Sequence, residues 1–479
     1  MHMAGNTDPG AAPLADISAT LARFCTQARW SDLPAAVQHE AKRALVNFFA
    51  TAIAGSRDPA LDAAVAVFAS FRSANDCHLI GRSEAGSRTD MLHAASLNAM
   101  AGNVHDYDDT HLPTIIHPTA PVAPALFALA QTRLVSGEDL LLAFALGVEV
   151  ECRLGNAISP GHYQRGWHIT STCGVFGAAA ACARLLKLDA TQTLWALGNA
   201  SAQAGGLVET LGTMAKSIGV GNAASNGLLS ALLAAQGFAG PQQPIEGVRG
   251  FLRVTGDAPD LVSIVEGLGE RWELSNNTYK PYPCGVVLNP VIEACLALHA
   301  ALGSEGESAA GASAQKTRAQ ALNQVQRIEL TGHPLLRERT DRPGVQSGRA
   351  SQVSAQHAVA VSLQLGRAGL DEFSDACVAD AALGALGSKL VFIDDARSSV
   401  ESATVTLQLQ DGRSVQHHVA AARGSLAAPL SDADLAQKLR TLAAWSQSGC
   451  APEPLLDALW TFDQSADAGA LMQLAAGRD

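Results

Sequence analysis

The hydrophobic pattern changes character once along the chain. From Leu14 to about Gly240, apolar positions recur at helical spacing in segment after segment, separated by short polar or Gly/Pro breaks. This predicts helices over 35–54, 87–103, 121–136, 137–157, 171–186 and 191–205. Ser31 or Asp32 can cap the first of these, with Pro34 in its first turn. After about Leu274 the run Asn276-Asn277-Thr278 leads into Lys280-Pro281-Tyr282-Pro283, which cannot be helical throughout because each proline restrains its predecessor. A helix over 289–302 and a Gly/Ala/Ser-rich stretch over 303–314, expected to be a flexible loop, follow. Strand patterns then appear for the first time, at 326–331, 389–393, 403–410 and 413–419. The last two are joined by Asp411-Gly412, a dipeptide favoured in tight hairpin turns. Ser431 to Asp434 cap a further helix through Trp445, and the remaining tail is again helical in pattern.

The fold expected is therefore mainly α with an inserted α+β domain. A helical domain spans 1–275, residues 428–479 return to it, and an α+β lid domain spans 276–427. A 479-residue chain that is 48% hydrophobic has enough apolar surface for two or three cores. Only 5% of its residues are aromatic while alanine and glycine abound, which favours closely packed helices.

Net charge of −12 argues against a nucleic-acid surface or an anionic membrane face, which need dense Lys/Arg patches. The nine cysteines are scattered, odd in number and never in a CxxC pair, so neither a disulfide framework nor a zinc ribbon is suggested. Residues 1–13 read as a loose tail and not a signal peptide, and no uncharged apolar run of roughly 20 residues is seen. A cytoplasmic location is expected.

The densest polar cluster is His105-Asp106-Tyr107-Asp108-Asp109-Thr110-His111, followed by His117-Pro118-Thr119. Titratable groups crowded between apolar helices are where pKa values are readily tuned for acid/base work; a solvated loop with Asp caps is the plainer reading. Metal binding is a competitor, but the spacing matches no metal signature. His168, in Gly166-Trp167-His168, directly precedes a small-residue helix whose dipole would favour the neutral imidazole. Lys216 stands ahead of the Gly-rich 219–227 segment, and Lys280 and Tyr282 are held by the flanking Pro281 and Pro283. Phosphate-binding loops and the GxSxG nucleophile elbow are absent from the sequence. The chemistry left is proton transfer, dehydration, isomerisation or decarboxylation of activated acids.

The order of motifs, from Ala94-Ala95-Ser96-Leu97-Asn98 through His105–Thr110, His117-Pro118-Thr119, Gly166-Trp167-His168, Lys216 with Gly221-Asn222-Ala223-Ala224, to Lys280-Pro281-Tyr282-Pro283, resembles the MmgE/PrpD family. That family includes 2-methylcitrate dehydratase, cis-aconitate decarboxylase and iminodisuccinate epimerase. The resemblance implies a helical domain built from both chain ends, an inserted lid, a homodimer, and a site at the domain interface without metal or organic cofactor. By motif match, Asp106, Thr110, His117, His168, Lys216 and Lys280 fall on its active-site positions. Two departures stand out. Gly285, after Cys284, occupies the place of the histidine in the decarboxylase branch's Lys-x-Phe-Pro-Ala-His pattern, which argues against decarboxylation. His357 stands where related sequences often carry tyrosine.

The expected function is a cofactor-independent lyase of the dehydratase type, acting on a small di- or tricarboxylate by proton abstraction next to a carboxylate. His168 is assigned as base and His117 as acid, an assignment that can be reversed. Asp106 would orient a histidine, Thr110 and Tyr282 would contact substrate, and Lys216 and Lys280 would hold carboxylates. The alternatives are an epimerase, isomerase or decarboxylase on a related acid and, from another class, a metal-dependent hydrolase using the Asp106/Asp108/Asp109/His cluster.

Overall fold

Small residues set how closely the helices of the N-terminal half approach. On the Ala215–Ala235 helix, a Cβ added at Gly227 would lie 2.5 Å from the Ala178 methyl and 2.8 Å from the Val175 carbonyl. Both belong to the Ile169–Leu185 helix. One added at Gly221 would lie 2.7 Å from Ser96 Oγ on the Met91–Asn103 helix. On the Gly137–Ile158 helix, Gly147 meets the Gly177 carbonyl in the same way, at 2.7 Å. The Gly-rich 219–227 segment is thus helical because tight packing outweighs the roughly 1 kcal/mol helix penalty of each glycine.

The computed structural model describes residues 16–71, 73–83, 87–304 and 319–477. The chain divides into a helical unit, made of the chain up to Val104, Asp108–Asn277 and Asp432 onward, and an α+β unit of His105–Tyr107 and Thr278–Ser431. In the helical unit both chain ends share one core. The Ala35–Gly55 helix meets the Asp432–Ser446 helix, with Lys438 Nζ donating to Asn47 Oδ1 at 2.8 Å and Arg43 paired with Asp432. Phe127 lies between Phe49, met edge-on at 5.2 Å, and Phe462, tilted at 5.7 Å.

In the α+β unit the hydrophobic alternation builds a four-stranded sheet in the order 390–394, 325–332, 403–409, 414–419. The Val325–Gly332 strand runs parallel to Leu390–Asp394 and antiparallel to Ala403–Leu409, which forms the hairpin with Ser414–Val419. Gly412, at φ 87°, makes the turn. Ile328, Leu330, Val405 and Leu407 face the Asn289–Ser304 and Ala355–Leu365 helices in one apolar core.

Several expected element bounds shift, each for a local reason. The first long helix begins at Ala35 with Pro34 as its N-cap, while Asp32 caps a short preceding turn. Residues 88–89 form a short strand and Asp90 caps the next helix, which therefore starts at Met91 and not Ser87. The helix expected over 121–136 runs Thr119–Ala130, because Ser136 caps the one after it. The tail over 1–13 and residues 305–314 of the expected loop lie outside the described residues. Two helices, Ala215–Ala235 with Lys216 and Val286–Gly303 with Glu293, are long and apolar enough to cross a membrane by length and composition. Within their units 50% and 61% of these stretches are buried, so packing in a core accounts for their composition.

Candidate active site

The polar loop predicted to carry chemistry is held rigidly. Asn103, the last residue of its helix, donates to Asp108 Oδ2 at 2.7 Å, and Asp108 Oδ1 lies 3.4 Å from His117 Nδ1. That same ring nitrogen is 2.7 Å from the Asp109 carbonyl oxygen. A carbonyl can only accept, so Nδ1 carries the proton. Thr110 Oγ1 stands 3.4 Å from the same Nδ1. The His117 main-chain N–H donates to Thr170 Oγ1 at 3.1 Å, tying this loop to the start of the Ile169–Leu185 helix. Ile115 has φ 59°, a costly conformation for a β-branched residue, two positions before His117.

That helix begins two residues earlier than its sequence pattern suggests, which makes His168 its N-cap. His168 Nδ1 is 2.7 Å from Ser171 Oγ, and its main-chain N–H donates to Gly206 O at 3.0 Å. Gly206, at φ 129°, is required here, since a Cβ would lie 2.6 Å from Ser171 Cβ. From the other side Gly219 approaches, its added Cβ falling 2.6 Å from Ser171 Oγ. Lys216 is one turn earlier on Gly219's helix and is buried. The helical unit therefore brings together four of the expected site residues, Thr110, His117, His168 and Lys216.

The other three lie in the α+β unit. Lys280 is 2% exposed, and its Nζ sits 3.2 Å from Asp106 Oδ2 while donating to the Asp106 carbonyl at 3.1 Å. Asp106 adopts φ 52°, a left-handed conformation that Asp tolerates better than most residues. The carboxylate beside His117 in the helical unit is Asp108, whereas Asp106 pairs with the lysine. Tyr107 Oη donates to Pro281 O at 2.8 Å, and Gln352 donates to His105 O at 2.8 Å, fixing this corner. Tyr282 packs on the apolar core, and burial pushes its hydroxyl pKa well above the usual range. Cys284 is buried and its thiol is pushed up in the same way.

Sequence reading missed a buried relay behind the loop. Arg153 donates to Glu149 and to the carbonyls of Ser263, Ile264, Glu266, Gly267 and Arg271. This pins the segment that delivers Glu273, whose N–H donates to Glu149 Oε2 at 2.7 Å. Glu273 Oε2 in turn accepts from His111 Nε2 at 3.1 Å. Burial alone would raise the Glu273 pKa, but the hydrogen bond and charge of His111, with Asn156 and Arg153, bring it down to about 2. His162, also unremarked, donates Nδ1–H to Thr255 O, and burial lowers its pKa to about 4, so it serves as a neutral structural group. In the sequence, the i,i+4 spacing of Glu149 and Arg153 is the signal for this relay.

Residues 19–263 match the family model of the MmgE/PrpD N-terminal domain, and residues 282–454 that of the MmgE/PrpD C-terminal domain. The chain is 27% identical over 490 residues to the cis-aconitate decarboxylase-like protein oryM of Aspergillus oryzae, covering 97% of this chain and 98% of that protein. It is 31% identical over 290 residues to the cis-aconitate decarboxylase of Aspergillus terreus, covering 57% of this chain and 59% of the relative. With the Homo sapiens cis-aconitate decarboxylase it shares 37% identity over 164 residues, 33% of this chain and 34% of that one. Two family models together spanning most of the sequence show that the chain belongs to the MmgE/PrpD family.

Proposed function

We propose that this protein is a cofactor-independent lyase that moves a proton next to a carboxylate of an aconitate-like di- or tricarboxylate, with dehydration as the leading reaction. The observation that carries the reading is that two buried histidines are tied to one helix start, His168 as its N-cap and His117 through its main-chain N–H to Thr170. Each has its Nδ1 held by a fixed partner, Asp109 O for His117 and Ser171 Oγ for His168. His168 at the helix N-terminus is disfavoured as a cation and suits the base. If its Nδ1–H donates to Ser171, Nε2 is the basic nitrogen. His117, with the Asp108 carboxylate beside it, suits the acid that protonates a departing hydroxyl. Lys216, at a helix N-terminus, would hold a substrate carboxylate and stabilise charge that builds there, and Thr110 would hydrogen-bond the substrate. In the α+β unit, Lys280 backed by Asp106 is proposed to bind a second carboxylate, with Tyr282 supporting that turn.

Decarboxylation is the second reading. It is favoured by the relative that matches along nearly its whole length and bears the name of a cis-aconitate decarboxylase-like protein. Against it stands Gly285, which offers no side chain where the decarboxylase pattern has histidine. We further propose a cytoplasmic homodimer, for which light scattering should give about twice the 49.5 kDa chain mass.

Proton NMR in D₂O, with citrate, 2-methylcitrate, cis-aconitate, malate and iminodisuccinate, each with and without chelator, tests the reading. Deuterium entering the carbon next to a carboxylate, insensitive to chelator, is the expected result. Loss of an olefinic proton with hydration identifies a dehydratase, inversion without net loss an epimerase, and release of CO₂ a decarboxylase. No exchange with any acid, or activity only with metal, would overturn it in favour of another substrate or the hydrolase.

A further inference from the structure

Asp109 lies in the middle of the polar loop, yet its side chain is wholly buried within the helical unit. Its Oδ2 accepts from Thr119 Oγ1 at 2.5 Å, in the first turn of the Thr119–Ala130 helix, and from Asn277 Nδ2 at 2.7 Å. Its Oδ1 makes no hydrogen bond among the described residues. Its own main-chain carbonyl is the acceptor that fixes His117 Nδ1. One residue therefore joins three segments and ends on the proposed acid.

We propose that Asp109 is a positioning residue for the reaction: its carboxyl, clamped by Thr119 and Asn277, holds the main-chain carbonyl that sets the tautomer and direction of the His117 ring. This deepens the proton-transfer reading above and rests on it.

The groups that face Asp109 are consistent with a device kept for its geometry. Asp108 precedes it on the same loop, His117 is bonded to its carbonyl, and Glu151 comes from the Gly137–Ile158 helix. Glu151 is fully buried with both oxygens unbonded among the described residues, and burial together with the Asp109 charge pushes its pKa far up. Burial likewise raises Asp109, with Asp108 adding to it against the hydrogen bonds of Thr119 and Asn277, to about 7. A fully buried carboxyl placed at such cost is explained by what it holds in place.

The test needs a readout that does not depend on substrate. Slow deuterium exchange at the C2–H of each histidine, followed by mass spectrometry over pH, gives the midpoint of His117 in the full-length enzyme. Asp109→Asn and Thr119→Val should lower that midpoint and leave the midpoint of His162 unmoved. Thr119→Val is the informative variant if Asp109→Asn folds poorly, because it keeps the carboxyl and removes only its clamp. With the substrate identified by NMR, kcat should fall roughly tenfold to a hundredfold while KM stays within about threefold, the cost of a slightly misplaced acid. An unmoved His117 midpoint in folded variants overturns the proposal whether or not activity falls, since Asp109 would then serve the fold alone. If no acid is turned over, the proton-transfer reading fails while the midpoint still decides the clamp.

Discussion

Ser171 shows how a single residue can be structural by sequence and functional by position. Nothing in its local pattern separates it from the small residues around it, yet its hydroxyl is the partner of His168 Nδ1 and the close neighbour of Gly206 and Gly219. Replacing it by Ala removes one hydrogen bond, worth about 1 kcal/mol to stability, and frees the ring to turn and to change tautomer. Ser171→Ala should therefore unfold within a few degrees of wild type while kcat falls roughly tenfold or more, and a steady-state titration with a thermal melt checks both. His168→Ala and His117→Ala should cost on the order of a hundredfold in kcat, and values within about threefold would remove them from the mechanism. At this scale the sequence named the histidines and lysines because few residue types can do the chemistry. It gave no sign of Ser171 and placed Thr119 in the polar cluster without a role, since both roles depend on what folds against them.

At the scale of the element, the Ala215–Ala235 helix carries the contrast. Its glycines are unfavourable by helix propensity, because glycine is the poorest ordinary helix former, and they are tolerated because neighbouring chain leaves no room for a Cβ. Gly227→Ala should gain up to about 1 kcal/mol of helix propensity and lose roughly 1–3 kcal/mol to overpacking against Ala178 and the Val175 carbonyl, a net loss visible as a lower Tm. Gly384, in the Ala381–Gly387 helix, has nothing within 4 Å of an added Cβ. Gly384→Ala should leave Tm unchanged or raise it. Helices and strands with plain periodicity were legible to within a few residues. Their ends were not, since capping by Asp90 and Ser136 competes with the apolar pattern and wins locally.

For the whole molecule, the buried relay from Arg153 through Glu149 and Glu273 to His111 ties the stability of the helical unit to pH. The Glu273 pKa is about 2 in the folded chain against an ordinary 4.5, so the folded state holds its proton less tightly than the unfolded one. The stabilisation is fully present above about pH 4.5 and is lost as pH falls toward 2. Asp109 works the other way. Raised from 3.8 to about 7, it favours the folded state at low pH and withdraws that advantage as pH rises through 7. Urea unfolding followed against pH should show Glu273→Gln less stable at pH 7 with a shallower loss below pH 4.5, and a wild-type-like acid limb would contradict the relay.

The sequence by itself determined the two-part architecture, the break in the helical pattern near Leu274, the strand periodicity from 326 onward, and the residue types available for proton transfer between carboxylates and imidazoles. These are properties of local pattern and side-chain chemistry, which need no knowledge of neighbours. The tertiary structure alone decided that Asp106 pairs with Lys280 while Asp108 stands beside His117, that a glycine-rich stretch is a helix, and that Asp109 faces inward. Those outcomes depend on which groups, distant in sequence, compete for the same space and the same hydrogen bonds, and burial raises the cost of every one left unmade.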